Sequence, residues 1–224
     1  MNDIDAISST LADARPWFEE WRSPLEFERR YREVRQRIDS NFQFNRGEAK
    51  WLLEVWLISK FGRLHEFSKI RLNRADPPDA FVISASSTTP IEMTEVIEPG
   101  RQRGLEYQPG GPNLVEDPVE DWVSRAEKIP PALQKGIKKK QQKQYTSDTE
   151  LLVYLNINEL GIRQREIELA IKSTLSKSTR PFSKIHVLWK EKLFDSTGRT
   201  IRDPNALVDE DMGDDDEIFR SVWL

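Results

Sequence analysis

The stretch "PDAFVISASSTTPIEMTE", residues 78–95, decides the fold. Two short β-prone runs, "DAFVIS" (79–84) and "IEMTEV" (91–96), are divided by a turn rich in Ser, Thr and Pro, which predicts a pair of strands. Alternation along "IEMTEV" puts Glu92 and Thr94 on one face and Ile91, Met93 and Glu95 on the other. Same-face neighbours lie about 7 Å apart along a strand, so Glu92 and Thr94 address one small site. A hairpin through "ASSTTP" sets Asp79 beside Glu92. Adjacent carboxylates repel, and the usual remedies are a shared proton or a bound cation. With oxygen donors and no cysteine, that cation is hard: Mg²⁺ or Mn²⁺.

Upstream, "HEFSKIRL" (65–72) reads as the first of three strands, and "NRGEAKWLLEVWLISKFG" (45–62) as a well-buried helix. Asn45 is its expected N-cap, Glu48 follows three residues later as in a capping box, and Gly62 is the expected stop. "PLEFERRYREVRQRIDSNF" (24–42) reads as an amphipathic helix with Leu25, Phe27, Tyr31 and Val34 inward, and residues 1–23 as an accessory arm. Downstream, a Gly/Pro-rich loop (98–113) leads into a helical pattern from about 116 to 145, interrupted at "IPP" (129–131). "ELLVYLNI" (150–157) is a continuous apolar strand of the kind buried in a partly parallel sheet. A helix over 163–175, with Ile167, Ala170, Ile171 and Thr174 on one face, and a last strand, "KIHVLWK" (184–190), complete the pattern. The order implies an α/β sandwich around a mixed sheet. The expected organisation is a helical arm (1–44), a core (45–195) and an acidic, partly mobile tail (196–224).

The chain is 37% hydrophobic and 32% charged, and its seven Trp and ten Phe argue against wholesale disorder. The absence of cysteine excludes a disulfide scaffold and Cys-ligated zinc. No apolar run approaches the roughly 18 residues of a membrane span, and "MNDIDAISSTLADARPW" lacks a basic-then-apolar leader, so a cytoplasmic setting is expected. A net charge of −4 conceals segregation, with bases in "KGIKKKQQK" (135–143) and "RQR" (101–103) and acids in "DEDMGDDDE" (209–217). Such a chain still offers a basic surface to a polyanion.

Pro78-Asp79 followed by Glu92-Met93-Thr94, after a helix carrying Glu48, resembles the PD-(D/E)XK nuclease superfamily. Gln141 and Tyr145 in "QQKQY" are similar to the QxxxY arrangement of a large branch of that superfamily, on the helix after the acidic strand. "EVIEPGRQRGLEY" (95–107) further resembles an uncharacterised bacterial nuclease-like domain family. The resemblance spans about residues 45–190 and implies a restriction-endonuclease-like α-β-β-β-α-β core with a mixed central sheet. It implies Mg²⁺- or Mn²⁺-dependent phosphodiester hydrolysis of nucleic acid, DNA rather than RNA. Asp79, Glu92 and Glu48 would be ligands, and Gln141 and Tyr145 would position the phosphate.

Where the superfamily carries lysine, this chain has Thr94, which hydrogen-bonds but brings no positive charge. Lys138, one turn from Gln141, is the expected replacement cation, with Arg101 and Arg103 as alternatives. Lys135, Lys139, Lys140 and Lys143, with the two arginines, would hold neighbouring phosphates. Rival readings are a nuclease fold that binds nucleic acid or a protein without cutting, and a protein-interaction domain suggested by the tryptophans and acidic end. Residue by residue, Asp79 also reads as a turn residue, Glu92 as a solvated edge residue, Glu48 as a cap and the lysine run as a solvated helix face. His65 and His186, expected in strands, have no partner histidine at ligand spacing. The acidic end lacks the EF-hand spacing, and there is neither a phosphate-cradling glycine loop nor a nucleophile elbow.

Overall fold

A computed structural model of the chain describes residues 3–38, 47–75, 77–85, 87–101, 119–157, 159, 161–178 and 180–203. Among them are five α-helices: α1 (Asp3–Phe18), α2 (Pro24–Arg35), α3 (Trp51–Leu64), α4 (Val119–Gln141) and α5 (Gln164–Ser176). A 3-10 turn (Gly47–Ala49) precedes α3. The seven strands are β1 (Lys69–Leu72), β2 (Ala80–Ser84), β3 (Ser87–Ile97), β4 (Glu150–Asn156), β5 (Lys184–Trp189), β6 (Lys192–Asp195) and β7 (Thr200–Arg202). They form one mixed sheet in chain order. Neighbours β1–β2, β2–β3, β5–β6 and β6–β7 are antiparallel, and β4–β5 is parallel. The chain is thus of the mixed α/β class expected, with β4 in a parallel pair. It divides into two compact units, one built on Met1–Met93 and the other on Thr94–Arg101 and the chain from α4 onward.

In the first unit α1 is part of the core, where the sequence suggested an arm. Phe18 is fully buried, with ring centroids 5.1 Å from Phe27 and 5.5 Å from Trp51. Ser23 caps α2 through a complete capping box with Glu26, and Pro24 occupies the first turn, where its missing N–H is no loss. Phe27, Tyr31 and Val34 turn inward as expected, whereas Leu25 is 71% exposed. The helix ends at Arg35, short of the expected 42, and the proposed cap Asn45 lies outside the described residues.

Helix α3 begins later than its sequence suggested. Lys50 is its N-cap without a side-chain bond, and Glu48 falls in the preceding 3-10 turn. Gly62 is no stop signal. It lies within α3, where an added Cβ would meet Pro24 Cγ at 2.9 Å and Ile70 Cγ2 at 3.0 Å. The glycine lets α3 approach both α2 and β1. The helix ends near His65, whose ring stacks on Phe67 at 5.3 Å. β1 accordingly starts at Lys69, not at 65.

In the second unit, α4 runs unbroken through Pro130 and Pro131, against the expected interruption. An interior proline costs roughly 3 kcal/mol. The compensating burial is on one face, where Ala126, Ile129, Leu133 and Ile137 recur at helical spacing. That face packs in one cluster with Leu151, Val153 and Leu155 of β4, Ile185, Val187 and Trp189 of β5, and Ile167, Ile171 and Leu175 of α5. Ala170 and Thr174, assigned to the same inner face, are only half-buried. β6 and β7 continue the sheet beyond the strand expected to be last, so residues 196–203 belong to the fold and not to a tail. The acidic stretch 209–217 lies outside the described residues.

Two predictions arise from this packing. A Cβ on Gly136 would lie 2.5 Å from Val96 Cγ2, inside any tolerable contact. Gly136→Ala is expected to destabilise by about 1–3 kcal/mol despite alanine's better helix propensity, and Val96→Ala added to it should recover part of the loss. Urea denaturation of wild type and the two variants checks both statements. The second concerns Asp195, which closes the β6–β7 turn by accepting from the Thr197 amide (2.9 Å), the Thr197 hydroxyl (2.6 Å) and the Arg199 amide (3.0 Å). Burial works to raise its pKa, but these hydrogen bonds, aided by His186, outweigh it and hold the carboxyl below its ordinary value. A depressed pKa contributes stability above the unfolded value of about 3.9, lost as pH falls through the folded one. Thermal melts across the acid range should show this decline, flattened in Asp195→Asn.

No helix among the described residues is long and apolar enough to cross a membrane.

Candidate functional site

The geometry of the acidic pair follows from strand register. β1 and β2 pair Leu72 with Ala80, and the Asn73 amide donates to the Asp79 carbonyl at 2.8 Å, which carries the ladder one position further. β2 and β3 pair Ala80 with Ile91, so the same extension sets Asp79 opposite Glu92. Cross-strand partners project to one face. Ile70, Leu72, Val82 and Ile91 occupy the inner face and are buried at 0–1% exposure. The opposite face carries three successive cross-strand rows: Asn73–Asp79–Glu92, Arg71–Phe81–Pro90 and Lys69–Ile83–Thr88.

Asp79 is half-buried, and its Oδ2 accepts from the Met93 amide at 2.6 Å. That bond orients the carboxylate across the strand from its own. Glu92 is wholly buried. A charge withdrawn from water needs compensation, so the solvated reading of Glu92 does not describe its environment, whereas Asp79 lies in the bend that leads into β2. Thr94, two residues on along β3, is half-buried. The side chain of Glu48 lies outside the described residues, and among the described residues no group of three His, Cys, Asp or Glu is arranged to hold a metal. Two carboxylates remain. Such a pair suffices for Mg²⁺, which characteristically keeps waters and takes substrate oxygens in its other positions.

The other anticipated residues stand differently. Gln141 is the last residue of α4, and Tyr145 lies past the helix end, so the two do not share a helix as expected. The Gln141 amide donates to the Arg180 carbonyl at 2.6 Å and the Ser178 carbonyl at 3.3 Å, tying down the segment before β5. Tyr145 packs on Phe182, ring centroids 4.8 Å apart, against the second unit's core. Lys138 is exposed in the second unit while the acidic pair belongs to the first, and the inward neighbour on its helix is Ile137. Lys135, Lys139 and Lys143 are exposed and Lys140 half-buried; Arg101 is half-buried, and Arg103 lies outside the described residues.

Two acids of "EVIEPGRQRGLEY" have structural partners. Glu95 accepts from the Asn156 amide at 2.9 Å, and Glu98 pairs with Arg125 at 3.1 Å and Lys128 at 2.9 Å. His186 is buried in β5 with Nε2 at 2.8 Å from Glu150.

Sequence reading passed over Arg71. It stands one row from the acids, with its Cζ 5.0 Å from the Trp21 ring centroid and 4.6 Å from that of Phe81. The signal was present in "KIRL": an arginine between Ile70 and Leu72 must point away from the core they enter. No family model matches the chain, and neither the curated proteins nor the solved structures compared with it give a match.

Proposed function

We propose that the chain is a metal-dependent nuclease of restriction-endonuclease-like fold, hydrolysing phosphodiesters of DNA at Asp79 and Glu92. One observation carries this reading: the register of β2 and β3 sets the two carboxylates opposite each other on the face opposite Ile70, Leu72, Val82 and Ile91. The succession α3-β1-β2-β3-α4-β4 agrees with the α-β-β-β-α-β order of such a core.

Asp79 and Glu92 would hold Mg²⁺ or Mn²⁺, which when bound acidifies the attacking water and offsets charge on the scissile phosphate. The chain supplies the rest. The Met93 amide fixes the Asp79 carboxylate, leaving its orientation independent of the ligand. Burial of Glu92 keeps competing water away from its charge and strengthens its hold on a cation. Thr94 offers a hydroxyl that donates to a phosphate oxygen without neutralising it. Gln141 and Tyr145 act on the framework of the second unit.

A second reading, a nuclease fold that binds nucleic acid without cutting it, is favoured by Thr94 at the position where the superfamily carries lysine. Incubation of the full chain with plasmid and with single-stranded DNA, in Mg²⁺, in Mn²⁺ and in chelator, separates the two. Cleavage that requires the metal supports hydrolysis; binding without cleavage under all conditions sinks it in favour of the second reading.

A further inference from the structure

Arg71 occupies an environment that packing alone does not account for. Trp21 and Phe81 flank it from the two neighbouring strand positions. Arg22 bridges Ile70, which by one step of register sets Trp21 beside Arg71, and Phe81 is the direct partner of Arg71 on β2. Both rings lie within about 5 Å of the guanidinium carbon, near enough for cation–π attraction. Its Nε is buried with no hydrogen-bond partner, and among the described residues its side chain forms no ion pair. Of the guanidinium's five N–H donors, the Nε–H is thus withheld from water without a partner, which is costly. A methionine or leucine would cover the same two rings without that cost.

The position of this cation is informative. Two residues along β1 from the Asn73–Asp79–Glu92 row, it stands about 7 Å from Asn73, with Asp79 and Glu92 one and two strands across on the same face. Lys69, a further two residues along, is exposed on that face, so β1 presents two positive side chains in line leading away from the carboxylates. The rings restrain the arginine fork, which lowers the entropy lost when it grips a tetrahedral oxyanion.

We propose that Arg71, held between Trp21 and Phe81, binds a backbone phosphate next to the scissile one on the same nucleic-acid strand. The inference rests on the nuclease reading for the identity of the neighbouring site, but its own content is an anion-binding residue and is measurable without catalysis. It also supplies, in the first unit, the positive charge that Thr94 cannot.

The test is binding of a labelled oligothymidylate to the full chain in chelator, across a salt series, for wild type, Arg71→Met and Arg71→Lys. Arg71→Met should melt close to wild type, bind about tenfold more weakly, and show a log affinity against log salt slope shallower by about 0.7. Arg71→Lys should keep the slope while losing part of the affinity, because the charge stays and the fork is gone. A folded Arg71→Met that binds with wild-type affinity and slope overturns the proposal, as does a wild type that binds no oligonucleotide at low salt. The two readings fail separately. Binding through Arg71 without cleavage in any metal removes hydrolysis and keeps this site; metal-dependent cleavage with binding indifferent to Arg71 does the reverse.

Discussion

Glu92→Gln should reduce metal-dependent cleavage at least about a thousandfold, roughly 4 kcal/mol of transition-state stabilisation, while leaving the fold intact. The substitution keeps the volume of a fully buried side chain and removes only its charge. In chelator the variant should melt no lower than wild type, and higher if the buried anion is a burden carried for its ligand. Added Mg²⁺ should raise the wild-type melting temperature by preferential binding to the native state and leave Glu92→Gln unmoved. A variant that unfolds in chelator, or one that cuts like wild type, would assign Glu92 to the framework. Asp79→Asn gives the complementary measurement, because its side-chain oxygen can still accept from Met93 while the charge is lost.

The largest expected loss of stability comes from Phe18→Ala. The ring is inaccessible to solvent and stands edge-on to Phe27 with a tilted contact to Trp51, so its removal opens a cavity where α1, α2 and α3 meet. Such truncations cost about 3–5 kcal/mol, a large share of the 5–15 kcal/mol that holds a typical domain together. Chemical denaturation followed by aromatic fluorescence should move to markedly lower denaturant. If the first helix were an appendage, the midpoint would stay where it is.

What could be read in advance depended on the range of the physics involved. The strands of residues 80–84, 91–97 and 150–156 were legible because alternation and apolar runs are local signals. Residues 87–90, read as turn, instead extend β3, and the tight turn between Ser84 and Ser87 fixes the register that sets Asp79 opposite Glu92. Helix ends were less so. Gly62 resembles a terminator in any local reading, and only the approach of Pro24 and Ile70 reveals that it exists for contact. Pro130 and Pro131 misled for the same reason, since the burial that holds α4 straight is tertiary. The glutamine and tyrosine at 141 and 145 had suitable spacing but not a shared helix, because α4 stops at the first of them. Arg71 was missed because its meaning lies in two partners distant in sequence.

The backbone of Arg22 meets Ile70 through a reciprocal pair of hydrogen bonds, its amide donating at 3.1 Å and its carbonyl accepting at 2.8 Å. Those bonds occupy groups on the outer margin of β1 that would otherwise recruit a strand from another molecule. At the far margin, β7 spans only three residues, too short to template much pairing. The segment before α2 shields Ile70 at the β1 edge, and stripping it away would expose that part of the edge to strand pairing from another molecule.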